Sequence, residues 1–265
     1  MYKIEDIINK VHCADCLEFM KKMPENSIDL VVTSPPYDNL RDYKGYTFNF
    51  EGIANELYRI IKEGGVVVWV VGDATIKGSE TGTSFRQALY FKEIGFNLHD
   101  TMIYQKLNFI PLTHNRYEQE FEYMFVLSKG KPKTFNPILK RNKLAGKKYN
   151  PSRPRDYDNN AIRHNRSEIR VFNEFGRVGN IFGYIVGAGN EITNHPATFP
   201  EQLVLDHIIS WSNEGYLILD PMCGSGTTCK MARILNRNFI GIDISEDYCK
   251  IAQARIKAQP QPLKI

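Results

Sequence analysis

Two segments of the sequence place residues suited to group-transfer chemistry directly after a hydrophobic run. The first is Ser34-Pro-Pro-Tyr37, which follows the apolar run 28–33. Consecutive prolines fix the backbone and leave its carbonyl groups without partners in a regular element. In the second, a hydrophobic run ends at Asp220 and leads into a turn containing Gly224 and Gly226. Because glycines let a backbone approach closely and a helix start presents free N–H groups, this turn is a candidate ligand site.

The glycine-rich turn matches neither of the common phosphate-binding patterns. It lacks the lysine of a phosphate-binding loop, and Cys229 occupies the third glycine position of the dinucleotide motif. Asp243 ends the next hydrophobic run, where an acidic residue accepts hydrogen bonds from a ribose diol. Capping of the helix that follows is the alternative role for Asp243. Together these features predict a nucleoside cofactor with little or no phosphate, and S-adenosylmethionine fits that description.

The elements that position these segments alternate between strands and helices, which is typical of a mostly parallel sheet covered by helices. Gly64 and Gly65 are expected to end the first long helix. Two successive strands with no helix between them predict an antiparallel pair at the sheet edge. The predicted strands are 28–33, 66–71, 100–105, 121–128, 216–219 and 239–242, and the predicted helices are 50–62, 84–94, 199–212, 225–235 and 246–257. Residues 132–192 lack this periodicity.

The two motifs resemble those of the DNA amino-methyltransferases that modify adenine at N6 or cytosine at N4. Thr33-Ser-Pro-Pro-Tyr37 resembles their catalytic motif, and Asp220-Pro-Met-Cys-Gly-Ser-Gly-Thr resembles their cofactor motif. The order, catalytic motif first, is similar to the permuted beta class. The resemblance implies an α/β, Rossmann-like, S-adenosylmethionine-dependent methyltransferase fold. It also implies a catalytic half at 1–131, a less regular target-recognition region at 132–192 and a cofactor-binding half at 193–265.

The resemblance also assigns site residues. Asp15 resembles the strand-end acid that receives the adenine amine of the cofactor, although it is equally suited to cap a helix. The segment 195–200 resembles the part that closes over the methionine end, with Pro200 as a helix-starting proline in the alternative. The expected catalytic residues are Ser34, Pro35, Pro36 and Tyr37. The expected cofactor-binding residues are Asp15, Cys16, Thr33, His195, Phe199, Pro200, Asp220, Met222, Cys223, Gly224, Ser225, Gly226, Thr227, Thr228, Asp243 and Ile244.

The motif also bears on the target base. Serine at position 34 resembles the enzymes that methylate cytosine N4, whereas adenine enzymes more often carry Asp or Asn, so N6-adenine is the alternative. The Pro-Cys dipeptide that carries the nucleophile of cytosine-C5 methyltransferases is absent from the sequence. We expect direct in-line transfer to a base that has left the duplex, with Tyr37 stacked on it and no covalent intermediate.

Positive charge is concentrated between the two motifs. Residues 131–170 contain twelve Lys/Arg and three Asp/Glu, a net charge of +9, whereas the rest of the chain sums to −5. A basic block with interleaved tyrosines suits a phosphate backbone, and a solvated insertion is the alternative. Asp38–Tyr43 and 78–83 are further candidate DNA-facing loops. The expected DNA contacts are Arg153, Arg155, Arg163, Arg166 and Arg170, with double-stranded DNA as the partner.

Other function classes fit the sequence less well. The spacing of Cys13 and Cys16 suits a zinc or redox pair, but no second pair completes a site, so we expect no metal. No apolar run is long enough to span a membrane, and a cytoplasmic location is expected. A non-catalytic DNA-binding module, an RNA or protein methyltransferase and an NAD-dependent oxidoreductase remain alternatives. Because such enzymes also occur in restriction-modification systems, a cognate endonuclease is a further candidate partner.

Overall fold

The structure, a computed structural model, describes residues 1–36, 48–109, 115–149, 169–186 and 200–259. The helices are α1 (Ile4–Ile7), α2 (Cys16–Met20), α3 (Phe50–Ile60), α4 (Thr83–Glu93), α5 (Glu201–Trp211), α6 (Thr227–Ile234) and α7 (Glu246–Lys257). The strands are β1 (Lys10–Cys13), β2 (Ile28–Thr33), β3 (Ile61–Val71), β4 (Thr75–Ile76), β5 (Ser79–Glu80), β6 (Asn97–Lys106), β7 (Phe121–Ser128), β8 (Leu139–Arg141), β9 (Lys148–Tyr149), β10 (Arg170–Val171), β11 (Phe175–Arg177), β12 (Ile181–Tyr184), β13 (Leu217–Asp220) and β14 (Asn238–Asp243). None of the helices in these ranges is long and apolar enough to cross a membrane.

Eight strands form one sheet in the order β1-β14-β13-β2-β3-β7-β6-β12. Neighbouring strands are parallel except around β7, which is antiparallel to both β3 and β6. The predicted mostly parallel, Rossmann-like α/β sheet is confirmed. The predicted antiparallel pair is formed by β6 and β7, but its predicted position at the sheet edge is wrong, because β12 pairs with β6 and occupies the edge.

Strand β12 extends the main sheet into a segment that the sequence predicts to be irregular. Its residues pair in parallel with Ile103–Lys106 of β6. The strand escapes prediction because four residues in a Gly- and Asn-rich context carry no periodic signal. The chain forms two compact units, one of Met1–Asn136 with Asn180–Ile265 and one of Pro137–Gly179. The second unit is therefore shorter than the predicted 132–192 region.

The second compact unit, Pro137–Gly179, contains only short pairings. Strand β8 is antiparallel to β11, and β9 is antiparallel to β10. Tyr149 stacks on Phe172 with ring centroids 4.2 Å apart. None of the residues that the structure describes in this unit is buried. Its role in target recognition stays a prediction.

The hydrophobic core lies on both faces of the main sheet because its central strands are apolar on both sides. In β3, Val66, Val68 and Val70 pack in one cluster with α5, α6 and α7. The alternate residues Trp69 and Val71 pack in the other cluster with α2, α3 and α4. This two-residue alternation is what a strand covered by helices on both faces requires.

The boundary between α3 and β3 differs from the prediction. Asn49 caps α3 by accepting the Gly52 N–H at 3.0 Å, and the helix ends at Ile60, before the two glycines. Gly64 lies inside β3 at φ +78°, where the register with β2 shifts between Ile28 and Leu30. The glycine pair therefore marks a strand irregularity and not the end of the helix.

Candidate active site at the carboxyl edge of the sheet

The predicted catalytic turn begins where β2 ends. Thr33, the last residue of the strand, is fully buried. Ser34 is half-buried, Pro35 is buried and Pro36 is half-buried. Because β2 is a central strand of the sheet, the start of the turn is held on a rigid base. Tyr37 lies outside the described residues.

Asp220 connects β13 to the catalytic turn. It ends β13, beside β2, and its Oδ1 accepts the Thr33 hydroxyl at 2.8 Å and the Met222 N–H at 3.2 Å. On the same side, the Thr228 hydroxyl donates to the Val32 carbonyl at 3.1 Å. The Thr33 hydroxyl is thus engaged with Asp220, which makes Thr33 a support for the site rather than a residue pointing into open space.

The Asp220 carboxyl is 3% exposed, and burial raises its pKa from 3.8 to about 6. Hydrogen bonds from the Thr33 hydroxyl and the Met222 N–H favour the ionised form but do not offset burial. No Lys or Arg among the described residues pairs with this carboxylate. A buried acid without a cation is costly, so a positively charged ligand would find a complementary site beside it.

The glycine-rich turn follows Asp220 with the backbone that the sequence predicts. Gly224 and Gly226 have φ of +49° and +79°, a region that favours glycine. The Gly226 N–H donates to the Cys223 carbonyl at 2.7 Å, and the Cys223 N–H donates to the Ile242 carbonyl at 2.9 Å. Met222 is partly buried, and Cys223, Ser225, Thr227 and Thr228 are buried. These buried side chains therefore pack beneath the turn, in the protein interior, and support its backbone.

Asp243 ends β14 and binds the turn directly. Its Oδ2 accepts the Gly224 N–H and its Oδ1 accepts the Ser245 N–H, both at 2.8 Å. Ser245, and not Asp243, caps α7. A carboxylate oxygen can accept more than one hydrogen bond, which is the chemistry that a ribose diol requires. Ile244 is 48% exposed beside this carboxylate and offers an apolar surface to a base ring.

Asp15 and Cys16 follow β1, the strand next to β14. Asp15 caps α2 by accepting the Glu18 N–H at 2.8 Å, so the capping role weighed from the sequence is present. Cys16 packs into the core, and burial raises the pKa of its thiol to about 12. A cofactor contact at this residue would therefore use its backbone.

The order of the strands brings four predicted site residues, three acids and one serine, to the same edge of the sheet. Asp15, Asp243, Asp220 and Ser34 stand at the carboxyl ends of β1, β14, β13 and β2, which are successive strands of the sheet. Three strand spacings correspond to about 14 Å. Carboxylates for hydroxyls and for a cation, together with a lysine-free glycine turn, match the chemistry of S-adenosylmethionine. Ligands of open α/β sheets bind at this edge.

Three further contacts near the carboxyl edge were not predicted from the sequence. Asp73 follows β3, and its carboxylate accepts the N–H of Ser84 at 2.9 Å and the Ser84 hydroxyl at 2.5 Å, which fixes the start of α4. The 78–83 segment, predicted to be a DNA-facing loop, includes strand β5 of the β4–β5 hairpin, where Arg116 donates to the Gly78 carbonyl. Arg255 of α7 also reaches the glycine-rich turn, where it donates to the Ser225 carbonyl.

Several predicted residues lie outside the described residues. They are Tyr37, Arg153, Arg155, Arg163, Arg166, His195 and Phe199, together with the Asp38–Tyr43 loop. Pro200 is described, and it occupies the N-cap position of α5 in extended backbone. Arg170 is exposed in the second compact unit, opposite Tyr149 in the β9–β10 pair.

Comparison with known proteins identifies the family. A model of the DNA methylase family matches residues 28–254. The orphan methyltransferase M.BamHII of Bacillus amyloliquefaciens is 57% identical over 238 residues, which cover 87% of this chain and 89% of the relative. The type II methyltransferase M.BglII of Bacillus subtilis is 25% identical over 264 residues, which cover 96% of this chain and 70% of the relative.

Solved structures agree on the fold. The PvuII DNA methyltransferase (cytosine-N4-specific) superposes with a TM-score of 0.68 at 20% identity, covering 92% of this chain and 85% of that chain. The M1.HpyAVI–SAM complex superposes with a TM-score of 0.62 at 21% identity, covering 93% of this chain and 98% of that chain. The chain therefore belongs to the DNA methylase family of N4/N6 amino-methyltransferases, and it is a DNA methyltransferase that uses S-adenosylmethionine.

Proposed function

We propose that the protein methylates the N4 amine of cytosine in duplex DNA. The observation that carries the choice of base is Ser34, the first residue of the catalytic turn, half-buried at the end of β2. Its hydroxyl is neutral and short, whereas the adenine enzymes that the motif resembles more often place an amide or a carboxylate there. The PvuII enzyme, whose name states cytosine-N4 specificity, has the same fold.

An exocyclic amine is a poor nucleophile because its lone pair is delocalised into the ring. The Ser34 hydroxyl and the Pro35 carbonyl accept hydrogen bonds from the amine, which localises the lone pair on nitrogen. Tyr37 stacks on the base after it has left the duplex. S-adenosylmethionine, when bound, supplies an electrophilic methyl group. The chain contributes mainly positioning, because its strand ends hold the acceptors in place before the base arrives.

The cofactor lies across the carboxyl ends of β1, β14, β13 and β2 in this proposal. Asp15 and the Cys16 backbone receive the adenine, and Asp243 accepts the ribose hydroxyls beside Ile244. The glycine-rich turn and Asp220, supported by Thr33 and Thr228, hold the methionine part, which His195, Phe199 and Pro200 close. Close approach is feasible because Gly224 carries no side chain in the turn.

The basic block supplies the DNA contacts in this proposal. In the second compact unit, the described residues include Lys140, Lys147 and Arg170, all exposed. Together with Arg153, Arg155, Arg163 and Arg166, they would bind phosphates or guanine edges. M.BamHII is an orphan methyltransferase. We therefore propose that this protein, too, acts without a cognate endonuclease, the partner that the sequence alone left open.

Nucleoside analysis tests the choice of base. Duplex DNA is incubated with the purified protein and S-adenosylmethionine, then digested, and the modified nucleosides are separated by mass. We expect N4-methylcytosine. N6-methyladenine would assign the alternative base, and binding of duplex DNA without any methylation would favour a non-catalytic DNA-binding module.

Ser34→Ala tests the catalytic turn. Because the variant loses one of two acceptors for the amine, we expect kcat to fall by about 100-fold, a typical cost for one aligned hydrogen-bonding group in an active site. The Kd for S-adenosylmethionine, measured by calorimetry, should stay within about two-fold. Asp243→Ala is the contrasting variant. It should raise the Kd for S-adenosylmethionine before it affects kcat. An equal loss of cofactor affinity in Ser34→Ala would show that the turn is misassigned.

A further inference from the structure

Helix α7 presents one buried face to the cofactor edge of the sheet. Its buried residues are Cys249, Ala252, Arg255 and Ile256, at helical spacing. Near the helix start, the Cys249 thiol donates to the Asp243 carbonyl at 3.5 Å. One face of a single helix thus contacts both the ribose acid and, one and two turns later, the glycine-rich turn.

The second contact is a close approach of backbone to helix. A Cβ added to Gly226 would lie 2.6 Å from the Ala252 Cβ and 3.0 Å from its Cα. Gly226 also has φ +79°, so both space and conformation require glycine. The glycine-rich turn therefore rests directly on α7.

The third contact is made by Arg255, whose side chain is 9% exposed. Its Nη1 donates to the Ser225 carbonyl at 2.7 Å, to the Ser225 hydroxyl at 3.0 Å and to the Thr227 hydroxyl at 3.2 Å. A guanidinium is planar and its donors are fixed relative to one another. Arg255 therefore holds both the backbone and the side chains where the turn becomes α6.

A single carboxylate holds Arg255 in place. Arg255 Nη2 donates to Glu201 Oε1 at 3.0 Å, and Lys230 Nζ donates to the same oxygen at 2.7 Å. The Lys230 side chain is 7% exposed. Since Glu201 begins α5, Lys230 lies in α6 and Arg255 lies in α7, this charge cluster joins the three helices that surround the turn.

We propose that Arg255 is a positioning residue for methyl transfer, which fixes the glycine-rich turn in its cofactor-binding geometry before the cofactor arrives. This positioning role rests on the proposed assignment of the turn to S-adenosylmethionine. Arg255 acts through Ser225 and Thr227 and touches neither the reacting methyl group nor the base. Preorganisation of this kind improves affinity because less ordering is left to occur on binding.

Arg255→Met tests the proposal, because methionine keeps an unbranched apolar stem of comparable reach and removes every donor. We expect the Kd for S-adenosylmethionine, measured by calorimetry, to rise by about ten-fold or more, since the turn must then be ordered on binding. At saturating cofactor, kcat should stay within about two-fold of wild type. Arg255→Lys retains the charge beside Glu201 but not the fork, so it should recover part of the affinity.

Arg237→Met is the matched control. Arg237 contacts the opposite end of α6 by donating to the carbonyl of its C-cap residue Leu235 at 2.5 Å, and it ties that end to α5 by donating to the Ser212 hydroxyl at 3.1 Å and the Ser212 carbonyl at 2.9 Å. Both methionine variants should lower Tm, but only Arg255→Met should change the cofactor Kd. If Arg255→Met fails to fold, Arg255→Lys is compared with wild type in the same assay.

Two outcomes overturn the positioning role. One is a wild-type Kd in a folded Arg255→Met protein, or in Arg255→Lys where that variant carries the test. The other is an equal rise of Kd in Arg237→Met. The Kd of Asp243→Ala shows whether the positioning role of Arg255 has failed or whether the assignment of the turn to S-adenosylmethionine has failed. If Asp243→Ala too leaves the Kd unchanged, the cofactor site itself is misassigned.

Discussion

Strands β2 and β13 are joined by one aspartate at each end, and the two aspartates differ in their surroundings. At the amino end, Asp29 of β2 accepts the Leu217 N–H of β13 at 2.9 Å and pairs with Lys62 at 2.8 Å. At the carboxyl end, Asp220 of β13 accepts the Thr33 hydroxyl of β2 at 2.8 Å. The two ends thus use the same residue type to connect the same two strands.

Charge compensation separates the two ends. Asp29 has a cation beside it, whereas Asp220 is more deeply buried, has no such pair among the described residues, and has a pKa raised by burial to about 6. Ionised Asp220 therefore opposes folding, although its hydrogen bonds help to join the strands. The amino end thus contributes stability, whereas the carboxyl end keeps a costly buried charge, which our proposal assigns to the binding of the methyl donor.

The largest effect that tests this contrast is expected for Asp220→Asn. The amide oxygen can still accept hydrogen bonds from Thr33 and Met222, but the variant loses the negative charge that we propose to lie beside the cofactor. We expect kcat/KM to fall by about 100-fold, or about 2.7 kcal/mol, while Tm at pH 7.5 stays level or rises. Methyl incorporation and calorimetry measure the two quantities. A marked loss of Tm would show that the Asp220 charge supports folding.

The complementary change is Asp29→Ala at the amino end. It leaves the Leu217 N–H, in a residue that is 5% exposed, without its acceptor. The expected loss is about 1–3 kcal/mol of stability, or roughly 2–4 °C of Tm per kcal/mol for a chain of this size. Activity below the melting transition should be unchanged. Lys62→Met is the control, because a side chain that is 42% exposed contributes little to an ion pair.

A smaller effect should appear in the pH dependence of stability. Because the pKa of Asp220 is raised from 3.8 to about 6, the folded state holds a proton between these values that the unfolded state releases. The stabilising contribution of Asp220 to the free energy of unfolding is therefore lost as pH rises from about 4 to 6. Above pH 6 the contribution of Asp220 no longer changes. The stability of Asp220→Asn relative to wild type, from urea unfolding, should increase across this window. A difference that is the same at pH 4.5 and pH 7 would contradict the burial of this charge.

The contrast between the ends also separates what the sequence could predict from what it could not. Strand β2 and helix α7 were predicted with the bounds observed, because long apolar runs and amphipathic repeats carry a strong signal. Gly224, Gly226 and Asp243 were predicted by their positions relative to one strand and one turn. Asp29 and Arg255 were missed, because their partners lie 188 and 28–54 residues away and no local pattern marks them.

The pairing of β1 with β14 has a consequence for the order in which the protein is made. The two strands are about 230 residues apart, and Asn9 and Phe239 hydrogen-bond across that separation. At a synthesis rate of roughly 5–20 residues per second, β1 waits about 10–50 s for its neighbour. Strands β2 and β3 can pair long before then. The strand that leads into Ser34 can therefore pair early, whereas the β1–β14 pairing has to wait until residue 243 has been made, so the carboxyl edge of the sheet is assembled in two separate stages.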